Sequence, residues 1–340
     1  MQTIRVEDAV GTVLCHDITK IVPGEFKGAA FPKGHVITRE DIPKLLKLGK
    51  EHVYVWKLEP GMVHENDAAI RIAGAVAGSG LVTTEPREGK VSLLAAVDGL
   101  CVVNEDLLLR VNMIDQVVVA TRNNRKPVKA GDAVAGIRVV PLVIDEQTVE
   151  AVEALGSAPG IIQVKSLSSR RVGVVIVGNE IFRGRIEDQF GPVIKAKAES
   201  YGCQVIQQII VPDDINQIKQ AIQTLTAAGA DMVLATGGMS VDPDDVTPQA
   251  LRETGARVVT YGAPVLPGAM LMVAYLGEVP VLGLPGCVMY SQITAFDLVL
   301  PIILSGTMID RAMIARLGMG GLCLNCPVCH YPACSFGTGA

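Results

Sequence analysis

The sequence predicts an α/β protein: a mostly parallel sheet with helices on both faces over its second half, preceded by a β-rich α+β region. Three observations carry this. The chain is 49% apolar but only 4% aromatic, so its core is drawn from Val, Ile, Leu and Ala, as in buried strands packed on small residues. Its 35 glycines suit tight turns better than a long helical bundle. Beyond residue 171, continuous apolar runs alternate with segments of helical spacing, the rhythm of strand–turn–helix units joined by right-handed crossovers.

In chain order, residues 1–165 form the β-rich region. Apolar runs at 52–56, 91–97 and 116–121 read as strands broken by Gly, Asn and charged turns. A helix is expected at 39–48, where Glu40, Asp41 and Pro43 precede Leu45, Leu46 and Leu48. The apolar stretch from Gly131 reads as a strand leading to a helix at 146–155, ended by a Gly- and Pro-containing break at 156–160. The α/β domain is placed at 171–312, after a linker. Its strands are expected at 172–177, 205–211, 232–235 and 279–284. Its helices are expected at 192–201, at 214–228 with Asp214 and Gln217 as a capping box, after an N-cap Thr247 and first-turn Pro248, and at 288–304. Residues 318–340 are a Cys-rich tail.

Charge and composition exclude several classes. Net charge is −5 with Lys and Arg scattered, so a duplex nucleic acid, which needs clustered positive charge, is not an expected partner. The first residues lack the apolar core of a signal peptide, and no run reaches the roughly 20 apolar residues of a membrane span. A cytoplasmic protein is expected. Of eight cysteines, Cys15, Cys101, Cys203 and Cys287 stand alone, as small buried hydrophobes do. The other four crowd the C-terminus, a metal signature rather than a disulfide framework.

Four motifs fall at the C-terminal ends of the expected strands, where ligands bind in such sheets. Thr236, Gly237, Gly238, Met239 and Ser240 follow a strand directly. Paired glycines allow the backbone to approach a ligand and point N–H groups at phosphate, and Ser240 adds a hydroxyl; the plain alternative is a tight turn. Asp242, Asp244 and Asp245 put three carboxylates in four residues, enough beside a phosphate to hold Mg²⁺, or otherwise a solvated loop favouring the next helix N-terminus. Asp213 and Asp214 sit between strand and helix, one as cap and one available for function. Gly283, Leu284, Pro285 and Gly286 make a second close-approach turn. In the tail, Cys323, Cys326, Cys329 and Cys334 are spaced by two, two and four residues and can surround one metal centre. The consecutive short steps favour an iron–sulfur cluster, zinc stays open, and His330 is able to replace one ligand.

As an ordered set these motifs resemble the molybdopterin-binding domain shared by molybdopterin adenylyltransferases, molybdopterin molybdotransferases and the competence-damage family. The Gly-Gly turn followed seven residues later by an aspartate is Gly237, Gly238 and Asp245. The strand-end aspartate is Asp213, the Leu-Pro-Gly element is Leu284, Pro285 and Gly286, and the opening Gly-Asp-Glu is matched by Gly178, Asn179 and Glu180, with Asp188 downstream. The resemblance implies that Thr236, Gly237, Gly238, Ser240, Pro285 and Gly286 hold the molybdopterin phosphate. It implies that Asp213 and Asp245, then Glu180 and Asp188, position Mg²⁺, the adenylyl group or molybdate, in a homodimer. The chain departs from the pattern where the family's lysine becomes Ala269, where Leu-Pro-Gly-Asn-Pro becomes Leu284, Pro285, Gly286, Cys287 and Val288, and where an asparagine becomes Phe190. Asp98 and Gly99 only faintly match the family's Met-Asp-Gly-Tyr, and Asp98 reads as a turn residue.

Three functions follow from the resemblance. The first is Mg-dependent insertion of molybdate into adenylylated molybdopterin with release of AMP. The second is a non-catalytic carrier or maturation factor serving a molybdoenzyme, with the tail as docking or sulfur-handling element. The third is a nucleotide pyrophosphatase of the competence-damage type.

Overall fold

Arg171–Val177 (β1) is buried at every position after Arg171, as a strand must be inside a sheet covered on both faces. In the computed structural model, which describes residues 2–22, 25–55, 60–156 and 159–339, it lies within a six-stranded sheet. The other strands are Gln204–Val211 (β2), Met232–Thr236 (β3), Arg257–Tyr261 (β4), Met272–Leu276 (β5) and Val279–Leu284 (β6). Their order is β2-β1-β3-β6-β5-β4. The first four are parallel, with Val175 opposite both Ile209 and Ala235 and Ala235 opposite Gly283. The β5 and β4 strands, which the sequence pattern does not predict, run antiparallel to their neighbours β6 and β5.

Period-2 alternation divides each strand between two cores. Val172, Val174 and Ile176 pack with Ile194 and Ala198 of Phe190–Glu199 and with the wholly buried Ala295–Leu304. Val175 and Val177 face Ile218, Ile222 and Leu225 of Ile215–Ala227 and Ala250 and Leu251 of Thr247–Glu253. Helices therefore cover both faces. Gly173 lets Leu225 close on the sheet, since a Cβ there would lie 2.8 Å from the Leu225 Cβ.

The helix ends refine the expected boundaries. Asp214 accepts from Gln217 N at 2.9 Å, supplying the N-terminal half of the expected box. The last large helix starts at Ala295 rather than at 288. Thr294 and Asp297 form a reciprocal capping box there, and Gly286–Met289 is a 3-10 turn instead. Thr247 is the first residue of its helix and not its cap. A further helix, Arg311–Arg316, lies beyond the expected ones.

Two compact units divide the chain. One comprises residues 1–94, 104–121 and 133–163; the other takes 95–103, 122–132 and 164–340. The first unit is strand-rich, as expected. Lys90–Ala95, Ala133–Val139 and Val117–Thr121 pair antiparallel beside Leu81–Thr83, and Gln2–Arg5 pairs with His52–Val55. Trp56 and residues 157–158 lie outside the described residues. The expected helix at 39–48 is a 3-10 turn, Arg39–Asp41, running into Ile42–Lys47. Its buried Asp41 carboxyl is held well below the usual carboxylate range, chiefly by a 2.8 Å bond to His35, against the opposing effect of burial. Arg71 clamps Glu153 through two bonds of 2.9 and 2.8 Å and reaches Glu146 at 3.0 Å, joining helices Glu65–Val76 and Glu146–Leu155.

Candidate functional site

The sheet reverses its winding between β1 and β3: β2 flanks β1 on one side, and β3 continues on the other. A crevice at the C-terminal ends of the strands is the consequence. A cavity of about 860 Å³ opens there, lined by residues that follow β1, β2, β3 and β6.

The Gly-Gly turn is shaped by close approach. Gly237 has φ 88°, and a Cβ on it would collide with the Val177 carbonyl at the end of β1. Gly238 has φ 57°, and a Cβ there would lie 2.8 Å from Thr247 Oγ1 and 3.4 Å from Asp213 Oδ1. Thr247 fixes the turn from behind, its hydroxyl donating to Gly237 O at 2.8 Å and its N–H to Gly238 O at 3.1 Å. Tyr261 donates to Met239 O at 2.8 Å. Burial, and then the charge of Asp245, push its phenol pKa up, so the hydroxyl keeps the proton it donates.

Asp213 accepts from Asn179 N at 2.9 Å, tying the chain after β2 to the chain after β1. Asp245 and Asp242 close a reciprocal turn: Asp245 Oδ2 accepts Asp242 N at 3.0 Å, and Asp242 O accepts Asp245 N at 2.9 Å. Glu180, Asp213, Asp242, Asp244 and Asp245 all line the cavity, together with Gly237, Gly238, Ser240, Pro285 and Gly286. No Lys or Arg lines it among the described residues. Ala269, Cys287 and Phe190 are present in the lining; Cys287, unlike the buried Cys15, Cys101 and Cys203, is only partly buried, and that burial raises the pKa of its thiol. With five carboxylates and no basic side chain in the lining among the described residues, an anion entering this crevice would need a cation beside it.

Two predicted residues do not reach the cavity. Thr236 is fully buried, its hydroxyl without a hydrogen-bond partner among the described residues. Asp188 accepts from Phe190 N at 2.8 Å, Gly191 N at 3.0 Å and Gln208 Nε2 at 2.7 Å, and so caps the helix that begins at Phe190. The tail cysteines line a different cavity of about 360 Å³. Among the described residues, no three His, Cys, Asp or Glu side chains stand as a ready metal-binding group, either there or among the acidic residues.

Lining residues that sequence reasoning missed include Met289 and Tyr290. Tyr290 is 77% exposed and lines both cavities. Only its position four residues after the Pro285-Gly286 turn pointed to it.

Comparisons with known proteins find likeness over parts of the chain. The family described as "Probable molybdopterin binding domain" matches residues 173–305, and a domain family of unknown function matches residues 3–57. The chain is similar to a molybdopterin molybdenumtransferase of Haemophilus influenzae, 28% identical over 185 residues, 52% of this chain and 43% of that protein. A CinA-like protein of Amoebophilus asiaticus is 32% identical over 81 residues, 24% of this chain and 20% of that protein. The chain thus spans less than half the length of these curated relatives. Among solved structures it is similar to the molybdopterin biosynthesis enzyme MoaB of Thermus thermophilus, with 24% identity, 39% of this chain and 89% of that chain covered, and a TM-score of 0.32. No helix among the described residues is long and apolar enough to cross a membrane.

Proposed function

We propose, from the membership of residues 173–305 in the molybdopterin-binding domain family, that the chain holds adenylylated molybdopterin and supports molybdate insertion with release of AMP. One observation carries this reading. The glycine turn after β3, the Pro285-Gly286 turn after β6 and the aspartates Asp213 and Asp245 converge on one cavity at a reversal of strand order. The relatives named molybdopterin molybdenumtransferase support the same assignment.

In this reading Gly237, Gly238, Ser240, Pro285 and Gly286 cradle the phosphate, while Asp213 orders the crevice through Asn179 N. The donor set fits Mg²⁺: carboxylates unbalanced by any basic side chain in the lining among the described residues, with phosphate and water completing a hard-cation shell. Asp245 with Asp242 or Asp244 would hold the ion, which when bound supplies charge neutralisation for phosphoanhydride cleavage. Glu180, in the same lining, would orient a second ligand oxygen or a proton.

AMP formation tests this. Protein given adenylylated molybdopterin, molybdate and Mg²⁺ should form AMP, and Asp245→Asn should slow it by about 10²–10³-fold, the scale of removing one stabilising contact to developing charge. AMP no faster than with Asp245→Asn would remove the enzymatic reading.

A carrier is the second reading, and Ala269 favours it. It stands where the resemblance expects a lysine, in a lining without Lys or Arg among the described residues, so a doubly charged oxyanion lacks a fixed cation. Tight pterin binding with no AMP would select the carrier.

A further inference from the structure

The loop of residues 324–333 is held at both ends against the α/β unit. At its start Leu266 and Leu322 form a parallel bridge, with Leu266 N donating to Gly321 O at 2.7 Å and Cys323 N to Leu266 O at 2.8 Å. At its end Phe336 is 3% exposed within the core. Cys323 and Cys334 are partly buried against that core, whereas Cys326 and Cys329 are exposed. All four, with His330, line the cavity of about 360 Å³. Two sulfurs are thus fixed by packing, and two ride on the loop between them.

A second observation points to negative charge in this place. Lys126 is 3% exposed, and among the described residues no carboxylate pairs with it. It donates to Phe336 O and lies 4.7 Å from the centre of the ring of Tyr331, on the cysteine loop, and burial pushes its pKa down. Burying an ammonium ion without a counter-charge is costly. Negative charge gathered on the cysteine loop beside it would offset that cost. Four thiolates around a divalent cation carry a net charge of about −2, which a buried ammonium also stabilises.

We propose that Cys323, Cys326, Cys329 and Cys334 hold a thiophilic metal centre, with Lys126 as its charge partner. Cys323 and Cys334 anchor the centre, and its arrival draws Cys326 and Cys329 inward to complete a shell that, among the described residues, no three side chains form beforehand. His330, on the same loop, is the alternative fourth donor. The proposal does not depend on the pterin reading, because the sulfurs line a cavity of their own.

The full chain, reduced and stripped of metal under anaerobic conditions, is titrated with Co²⁺ and, separately, reconstituted with iron and sulfide. The expected result is one Co²⁺ per chain with a tetrahedral thiolate spectrum displaced by Zn²⁺, or an iron–sulfur chromophore. Either arm supports the site and identifies its occupant. The pair Cys326→Ser and Cys329→Ser, both exposed and so compatible with folding, should abolish the signal. Lys126→Met should weaken Co²⁺ binding at least tenfold, while Cys203→Ala should leave it unchanged. Absence of stoichiometric uptake in both arms, or uptake unaffected by the paired Cys326→Ser and Cys329→Ser change, would overturn the proposal.

Discussion

The two cavities of the α/β unit share Tyr290 and little else. The carboxylate-lined one is built by strand ends: backbone turns cross at close range, held by hydrogen bonds to Asp213, Asp245 and the Gly237 carbonyl. The cysteine-lined one is walled by a loop without regular structure, pinned at its ends. Sheet geometry fixes the lining of the first, whereas the proposed metal centre of the second would still have to gather its donors. Preorganisation of this kind is what makes a site's contacts stronger for ligand than for water.

The largest expected effect strikes the start of the helix that follows Tyr290 in the chain. Lys197 binds Asp297 at 2.7 and 2.9 Å and Gln292 O at 2.6 Å, and Asp297 also caps the helix after Thr294. The pair is nearly buried, with side-chain exposures of 14% and 7%. Lys197→Met leaves a buried carboxylate uncompensated and should cost about 3–5 kcal/mol in denaturant unfolding. Pairing it with Asp297→Leu should recover part of that loss. Recovery of none would mean that the cap, not the ion pair, sets the cost.

A smaller effect separates the two glycines. Gly237→Ala should destabilise by about 2–3 kcal/mol, because the new methyl meets the fixed Val177 carbonyl as well as a left-handed backbone. Gly238→Ala should cost about 1–2 kcal/mol, since its nearest neighbour, the Thr247 hydroxyl, stands 2.8 Å away rather than in outright collision and yields by giving up its bond to Gly237 O. Equal losses measured by thermal or urea unfolding would contradict the preformed crossing of β1 and β3.

How much was legible in the sequence follows from the same contrast. The parallel strands were readable because residues buried on both faces form unbroken runs of Val and Ile, as in β1. The antiparallel strands β4 and β5 were not, since short segments interrupted by Gly262, Pro264 and Pro267 carry no comparable run. The last helix was drawn too long at its start because composition at 288–293 could not reveal that Thr294 and Asp297 would stop the helix from beginning sooner. In the crevice, the glycines and Asp213 and Asp245 were legible as strand-end motifs, and Asp188 was legible only as a residue type, since its local caps become visible once Phe190 and Gln208 are brought to it. In the tail, spacing named the sulfurs. Lys126, distant in sequence and in an ordinary strand, gave no sign of its place beside Tyr331 and Phe336.

Equilibrium binding of molybdopterin, compared with the same pterin stripped of its terminal phosphate, tests the central claim most directly. Recognition through the Gly237-Gly238 and Pro285-Gly286 turns predicts that, with Mg²⁺ present, the dephosphorylated compound binds at least about tenfold more weakly, a loss of about 1.4 kcal/mol or more. Equal affinity for the two compounds would contradict it.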